Sequence, residues 1–138
     1  MSAKASPALT LHGRLIVIVE DEPAVRSGLE ALLGGWGATL ASFDTVSAAV
    51  AWASQCDPAL TRPSLLIVDY RLEAGHTGVE AIRSLRHVFG PALPAIMVTG
   101  STMTGHEAEA AQDDFHLLIK PVAPNKLRAM IGFKLGMR

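Results

Sequence analysis

The chain has 138 residues, 49% of them apolar, and its charged residues nearly cancel to a net charge of −1. That length suits one domain with a single core, and near-neutrality gives no electrostatic case for nucleic acid or membrane surfaces. No apolar run approaches the roughly 20 residues of a membrane span, and the lone Cys56 excludes an internal disulfide, so a cytoplasmic domain with an unremarkable thiol is expected.

Residues 1–13 are rich in Ala, Ser and Pro and lack a long apolar stretch, which reads as a disordered leader or an expression remnant. The folded unit is expected over 14–138. Leu15–Val19 is short and β-branched, a strand, and Glu20, Asp21 and Glu22 follow it directly. Pro23 suits the first turn of a helix, Val25, Leu29, Leu32 and Leu33 recur at helical spacing, and Gly34-Gly35 ends it. Ala38–Ser42 is a weak second strand. Asp44 or Thr45 can cap a helix through Val46, Val50 and Ala53 to Gln55.

Leu65–Val68 reads as the central strand and delivers Asp69. Val79, Ile82 and Leu85 place a third helix after Gly78. Ala95–Val98 is the fourth strand, with Pro94 tolerated at its start. Thr104 to Gln112 is an Ala- and Glu-rich helix with a thin apolar stripe, and Phe115–Ile119 is the fifth strand. Pro121 breaks it, and the last helix runs from Asn125 to Leu135. Such alternation predicts an α/β fold, a five-stranded parallel sheet flanked by helices.

Ligands of open parallel sheets bind beyond the carboxyl ends of the strands. There the first strand presents Glu20, Asp21 and Glu22, the third Asp69, the fourth Thr99 and the fifth Lys120. Crowded carboxylates raise one another's pKa and call for a cation. Oxygen donors alone favour Mg²⁺ over Zn²⁺. A carboxylate can also take a phosphoryl group as an acyl phosphate, with the hydroxyl and the ammonium on its oxygens. Alone, each feature has an ordinary explanation: a solvated turn, a helix cap, a loop lysine. Four in order at successive strand ends do not.

Those four segments, Val19-Glu20-Asp21-Glu22-Pro23, Ile67-Val68-Asp69-Tyr70-Arg71-Leu72, Val98-Thr99-Gly100 and Ile119-Lys120-Pro121-Val122, resemble the receiver domain of two-component response regulators. The resemblance spans Arg14 to Leu135 and implies the (βα)5 flavodoxin-like receiver fold. It implies Asp69 as phosphoacceptor, Thr99 as switch hydroxyl and Lys120 as its partner. Mg²⁺ would be held by Asp21, Asp69 and the Arg71 backbone carbonyl, with Glu20 acting through water. It further implies a cis Lys120-Pro121 bond, and Arg71 and Ser101 flanking the path of the hydrolytic water.

The expected partners are a histidine kinase or histidine phosphotransfer protein and a downstream protein target, with a homodimer allowed. No direct nucleic-acid contact and no membrane insertion are expected. Ala31-Leu32-Leu33 to Trp36-Gly37, Asp69-Tyr70-Arg71-Leu72 and Leu117 to Val122 look like receivers at the C-terminus of hybrid sensor histidine kinases.

Two departures stand out: Leu117 where the family commonly has an aromatic residue, and Glu73 to Gly78 in place of the usual proline-bearing loop. The alternative is a receiver-like docking scaffold that is never phosphorylated. A phosphatase of the haloacid-dehalogenase type would need an acid at the position of Arg71. A flavin loop would follow the first strand, whereas Thr99 to Gly105 follows the fourth. The five histidines show no metal-ligand spacing. Arg83, Arg86 and His87 read as a solvated basic face, and Trp36 and Trp52 as core.

Overall fold

The computed structural model describes residues 10–72, 76–100 and 106–136. Five strands, β1 (Leu15–Val19), β2 (Thr39–Phe43), β3 (Leu65–Asp69), β4 (Ala95–Thr99) and β5 (His116–Ile119), form one sheet in the order β2-β1-β3-β4-β5. Every pairing is parallel. Helices α1 (Pro23–Gly35), α2 (Val46–Gln55), α3 (Gly78–Phe89), α4 (His106–Asp113) and α5 (Pro124–Lys134) connect and follow them. The α/β expectation holds. The strand order leaves β1 and β3 adjacent at the centre, the switch point of the flavodoxin-like class, where a ligand crevice opens.

All five residues of β3 and of β4 are buried, as strands covered on both faces must be. Alternate residues point to opposite faces, so the core divides into two layers. Val17, Val19, Leu66, Val68 and Met97 pack with α2 and α3 residues such as Ala49, Ile82 and Leu85. Ile16, Ile18, Leu65, Ile67, Ile96 and Val98 pack with Leu29 and Leu33 of α1 and Leu127 and Ile131 of α5.

Helix starts follow local chemistry. Thr45 caps α2 by accepting from the Ala48 N–H at 3.0 Å. Thr77 and Glu80 form a reciprocal capping box at the start of α3. Pro23 and Pro124 stand in the first turns of α1 and α5, where a missing N–H costs no helical bond.

Several expectations are corrected. Leu11, placed in the leader, is fully buried against the α1–α5 layer, and its N–H donates to the Trp36 carbonyl at 2.7 Å. Packing therefore begins before Arg14. β2 is shifted one residue along, to Thr39–Phe43, a slip that weak alternation on an edge strand permits. Phe115 is buried but precedes β5, because Asp114 takes a positive φ of 52° and turns the chain.

The solvated basic face is also wrong for Arg86, whose guanidinium donates to three backbone carbonyls: Leu93 at 2.9 Å, Asp114 at 2.7 Å, and Asp113. Trp36 and Trp52 are half-buried, each packed against one of the two core layers. Trp52 sits between the rings of Phe43 and Phe89, with centroids at 5.3 and 5.6 Å. The Cys56 thiol donates to the Trp52 carbonyl at 3.3 Å. Among the described residues no helix is long and apolar enough to cross a membrane.

Candidate functional site

β1 and β3 run side by side in register, Val19 opposite Val68. The residues after them, Glu20 and Asp69, therefore emerge together at the carboxyl edge. β4 ends beside them at Thr99, and the Lys120 N–H donates to the Thr99 carbonyl at 2.7 Å, which ties the end of β5 to β4. The Lys120-Pro121 bond is cis, as expected. A cleft of about 680 Å³ opens there, lined by Asp21, Glu22, Asp69, Arg71, Thr99, Gly100 and Lys120.

The acidic turn is braced on three sides. The Glu20 N–H donates to the Phe43 carbonyl at 3.0 Å, and the Glu22 N–H donates to Glu20 Oε2 at 3.1 Å. Arg26 Nη1, one turn into α1, donates to the Glu20 carbonyl at 2.8 Å. Oxygens of Glu20, Asp21 and Asp69 lie within 4.8 Å of one another. Lys120 Nζ stands 3.1 Å from Glu22 Oε1, 3.4 Å from Glu20 Oε1 and 3.4 Å from Asp69 Oδ2. Behind Asp69 the backbone of Gly78 packs so closely that a Cβ there would lie 2.5 Å from the Asp69 carbonyl oxygen.

Electrostatics follow from this crowding. Burial pushes the Glu20 carboxyl up to about 7; the Glu22 N–H works against this, the neighbouring Asp69 charge works with it, and Lys120 opposes. Burial likewise raises Asp69, opposed chiefly by Lys120. Burial alone would lower Lys120, but its bond to Glu22 and the charges of Glu20 and Asp69 hold it above the ordinary lysine range.

The donor set suits a hard divalent cation. Three carboxylates converge, and the buried Glu20 Oε1 meets, among the described residues, only the Lys120 ammonium at 3.4 Å, a poor match because that ammonium is shared among three acids.

Each sequence-derived site residue that is described borders this cleft or its acidic floor: Glu20, Asp21, Asp69, Arg71, Thr99 and Lys120. Ser101 and Glu73 to Gly75 lie outside the described residues. Two contacts had no local signal to announce them, Glu22 on Lys120 and Arg26 on the Glu20 carbonyl.

A (βα)5 sheet with an acidic cleft at its switch point defines a class, and comparison with known proteins agrees with it. The profile of the response regulator receiver domain matches residues 16–132, and the chain belongs to that family. It is 33% identical over 121 residues to the phyllosphere-induced regulator PhyR of Methylorubrum extorquens, covering 85% of this chain and 42% of that protein. It is 32% identical over 125 residues to the DNA-binding response regulator MtrA of Mycolicibacterium smegmatis, covering 87% and 50%. The chain thus spans half or less of the length of these curated relatives.

Among solved structures, it resembles a CheY-like receiver protein of Methanospirillum hungatei with TM-score 0.75 and 23% identity, covering 89% of this chain and 94% of that one. It also resembles the receiver domain of a sensor histidine kinase of Pseudomonas aeruginosa, with TM-score 0.75, 25% identity, and 90% and 98% coverage. That structure has a magnesium ion coordinated in its active-site cleft.

Proposed function

We propose that this receiver domain is the phosphoacceptor of a two-component phosphorelay, taking a phosphoryl group from a phosphohistidine onto Asp69. The observation that carries the reading is the convergence of Asp69, Lys120 and the Glu20–Asp21 pair on one cleft. In the transfer, an Asp69 carboxylate oxygen attacks phosphorus. The P–N bond breaks, its electron pair returns to the imidazole of the donor, which takes up a proton, and an acyl phosphate forms.

Asp21, Asp69 and the Arg71 backbone carbonyl would hold Mg²⁺, with Glu20 acting through water. Once bound, the ion neutralises charge on the phosphoryl oxygens. Lys120, already 3.4 Å from Asp69, supplies a further positive charge for the new dianion. Thr99, buried at the end of β4, offers a hydroxyl to the same group. The donor is a histidine kinase or histidine phosphotransfer protein, and output passes through protein contact in the cytoplasm. Arg71 on the rim of the cleft tunes the lifetime of the acyl phosphate.

The test is intact-mass spectrometry after incubation with acetyl phosphate and Mg²⁺, with a phosphorylated histidine donor as a second source. A single phosphoryl adduct is expected, lost in Asp69→Asn and absent with EDTA. No adduct from either donor would favour an unphosphorylated docking scaffold.

A further inference from the structure

Glu22 stands at the N-cap of α1, a position that favours Ser, Thr, Asp or Asn because short side chains can bond the free N–H groups of the first turn. Its side chain makes no capping bond. It extends across the cleft mouth and places Oε1 3.1 Å from Lys120 Nζ, closer than Glu20 or Asp69, both at 3.4 Å. The backbone beneath it is held rigidly, since the Glu22 N–H donates to Glu20 Oε2 and Pro23 fixes the next residue. The carboxylate itself is 62% exposed while Lys120 is 17% exposed. One partner is thus a side chain at the solvent edge that can swing away; the other is the ammonium facing the phosphoacceptor.

We propose that Glu22 is a positioning residue that tethers Lys120 at the rim of the cleft and so restrains phosphoryl transfer to Asp69. This inference rests on the phosphoacceptor reading above. An incoming phosphoryl group must draw the ammonium onto its own oxygens. With Glu22 in place that contact is made in competition with an existing ion pair, and the donor meets an additional negative charge at the mouth. Removing the carboxylate leaves Lys120, among the described residues, with Glu20 and Asp69 on the inner side of the cleft.

Two variants separate the tether from simple charge. Glu22→Gln removes the charge, whereas Glu22→Asp keeps it but is one methylene too short to hold Lys120. Phosphorylation rates with acetyl phosphate at saturating Mg²⁺ are expected to rise about two- to fivefold in both, the scale of one exposed ion pair. In a Lys120→Met background neither change should alter the residual rate, because the effect acts through the lysine.

A rise in Glu22→Gln but not in Glu22→Asp would overturn the tether in favour of a field effect. Unchanged or slower rates in both would overturn it as well, while leaving Asp69 as phosphoacceptor. A parent that accepts no phosphoryl group from either donor would remove the phosphoacceptor reading and this inference together.

Discussion

Gly78 shows how much of the site depends on atoms that carry no chemistry. It begins α3, its N–H donates to the Tyr70 carbonyl at 2.8 Å, and it lies against the backbone of Asp69. A methyl group at this position would meet the Asp69 carbonyl oxygen at 2.5 Å, Met97 Cε at 2.9 Å and Val68 Cγ2 at 3.0 Å. Met97 can yield; the carbonyl oxygen cannot without moving Asp69. Gly78→Ala is therefore expected to cost about 1–3 kcal/mol, the usual range for overpacking, read as a lower urea midpoint with an unchanged m-value. In the sequence Gly78 is only a boundary residue before α3, because the backbone it must accommodate belongs to a strand nine positions earlier. Asp69 is different: a carboxylate closing an apolar β-branched run is legible locally.

Among elements, the junction of α3 with the α4–β5 turn is the least expected. Arg83 binds Asp113 in bidentate fashion at 2.9 and 3.0 Å, and Arg86 fastens the carbonyls at the end of α4 and the start of the turn. The C-terminal end of α4 is thereby anchored to α3. The bond from Arg83 holds the Asp113 carboxyl below its ordinary range. A carboxylate with a depressed folded pKa adds stability that is complete above its unfolded value of about 3.9 and is lost as pH falls through the folded value.

Asp113→Asn should consequently be less stable than the parent at neutral pH, with the difference closing below about pH 3.9. Chemical denaturation of both proteins across pH 2–7 checks it; a constant gap would refute the assignment. Charge periodicity placed Arg83 and Arg86 on one helical face, but their partners lie some thirty residues further on. Nothing in the local pattern distinguishes a solvated arginine from a clamp.

At the scale of the whole molecule, one sheet carries two apolar layers and gathers four chain segments at a single edge. The cost of burying acids at that edge is visible in the raised Glu20 and Asp69. A cation that binds the folded protein alone should thus stabilise it. Mg²⁺ at ten times its Kd is expected to add about 1.4 kcal/mol, seen as a rise in Tm that EDTA reverses and that Asp21→Asn abolishes. A Tm indifferent to Mg²⁺ from micromolar to tens of millimolar would count against the cation site.

The alternation of strands and helices, the parallel sheet and the residues presented at its carboxyl edge could all be read along the chain. Those follow from periodicity and from what ends each run, which are local properties. The one-residue shift of β2 shows where this weakens, on an edge strand with little alternation to pin it. It took the folded arrangement to show that Leu11 belongs to the core, that Arg86 closes the α4–β5 turn, and that Lys120 is shared among Glu20, Glu22 and Asp69. Each is a contact between residues far apart in the chain, selected by shape and charge after the sheet has formed, and such contacts leave no period in the sequence.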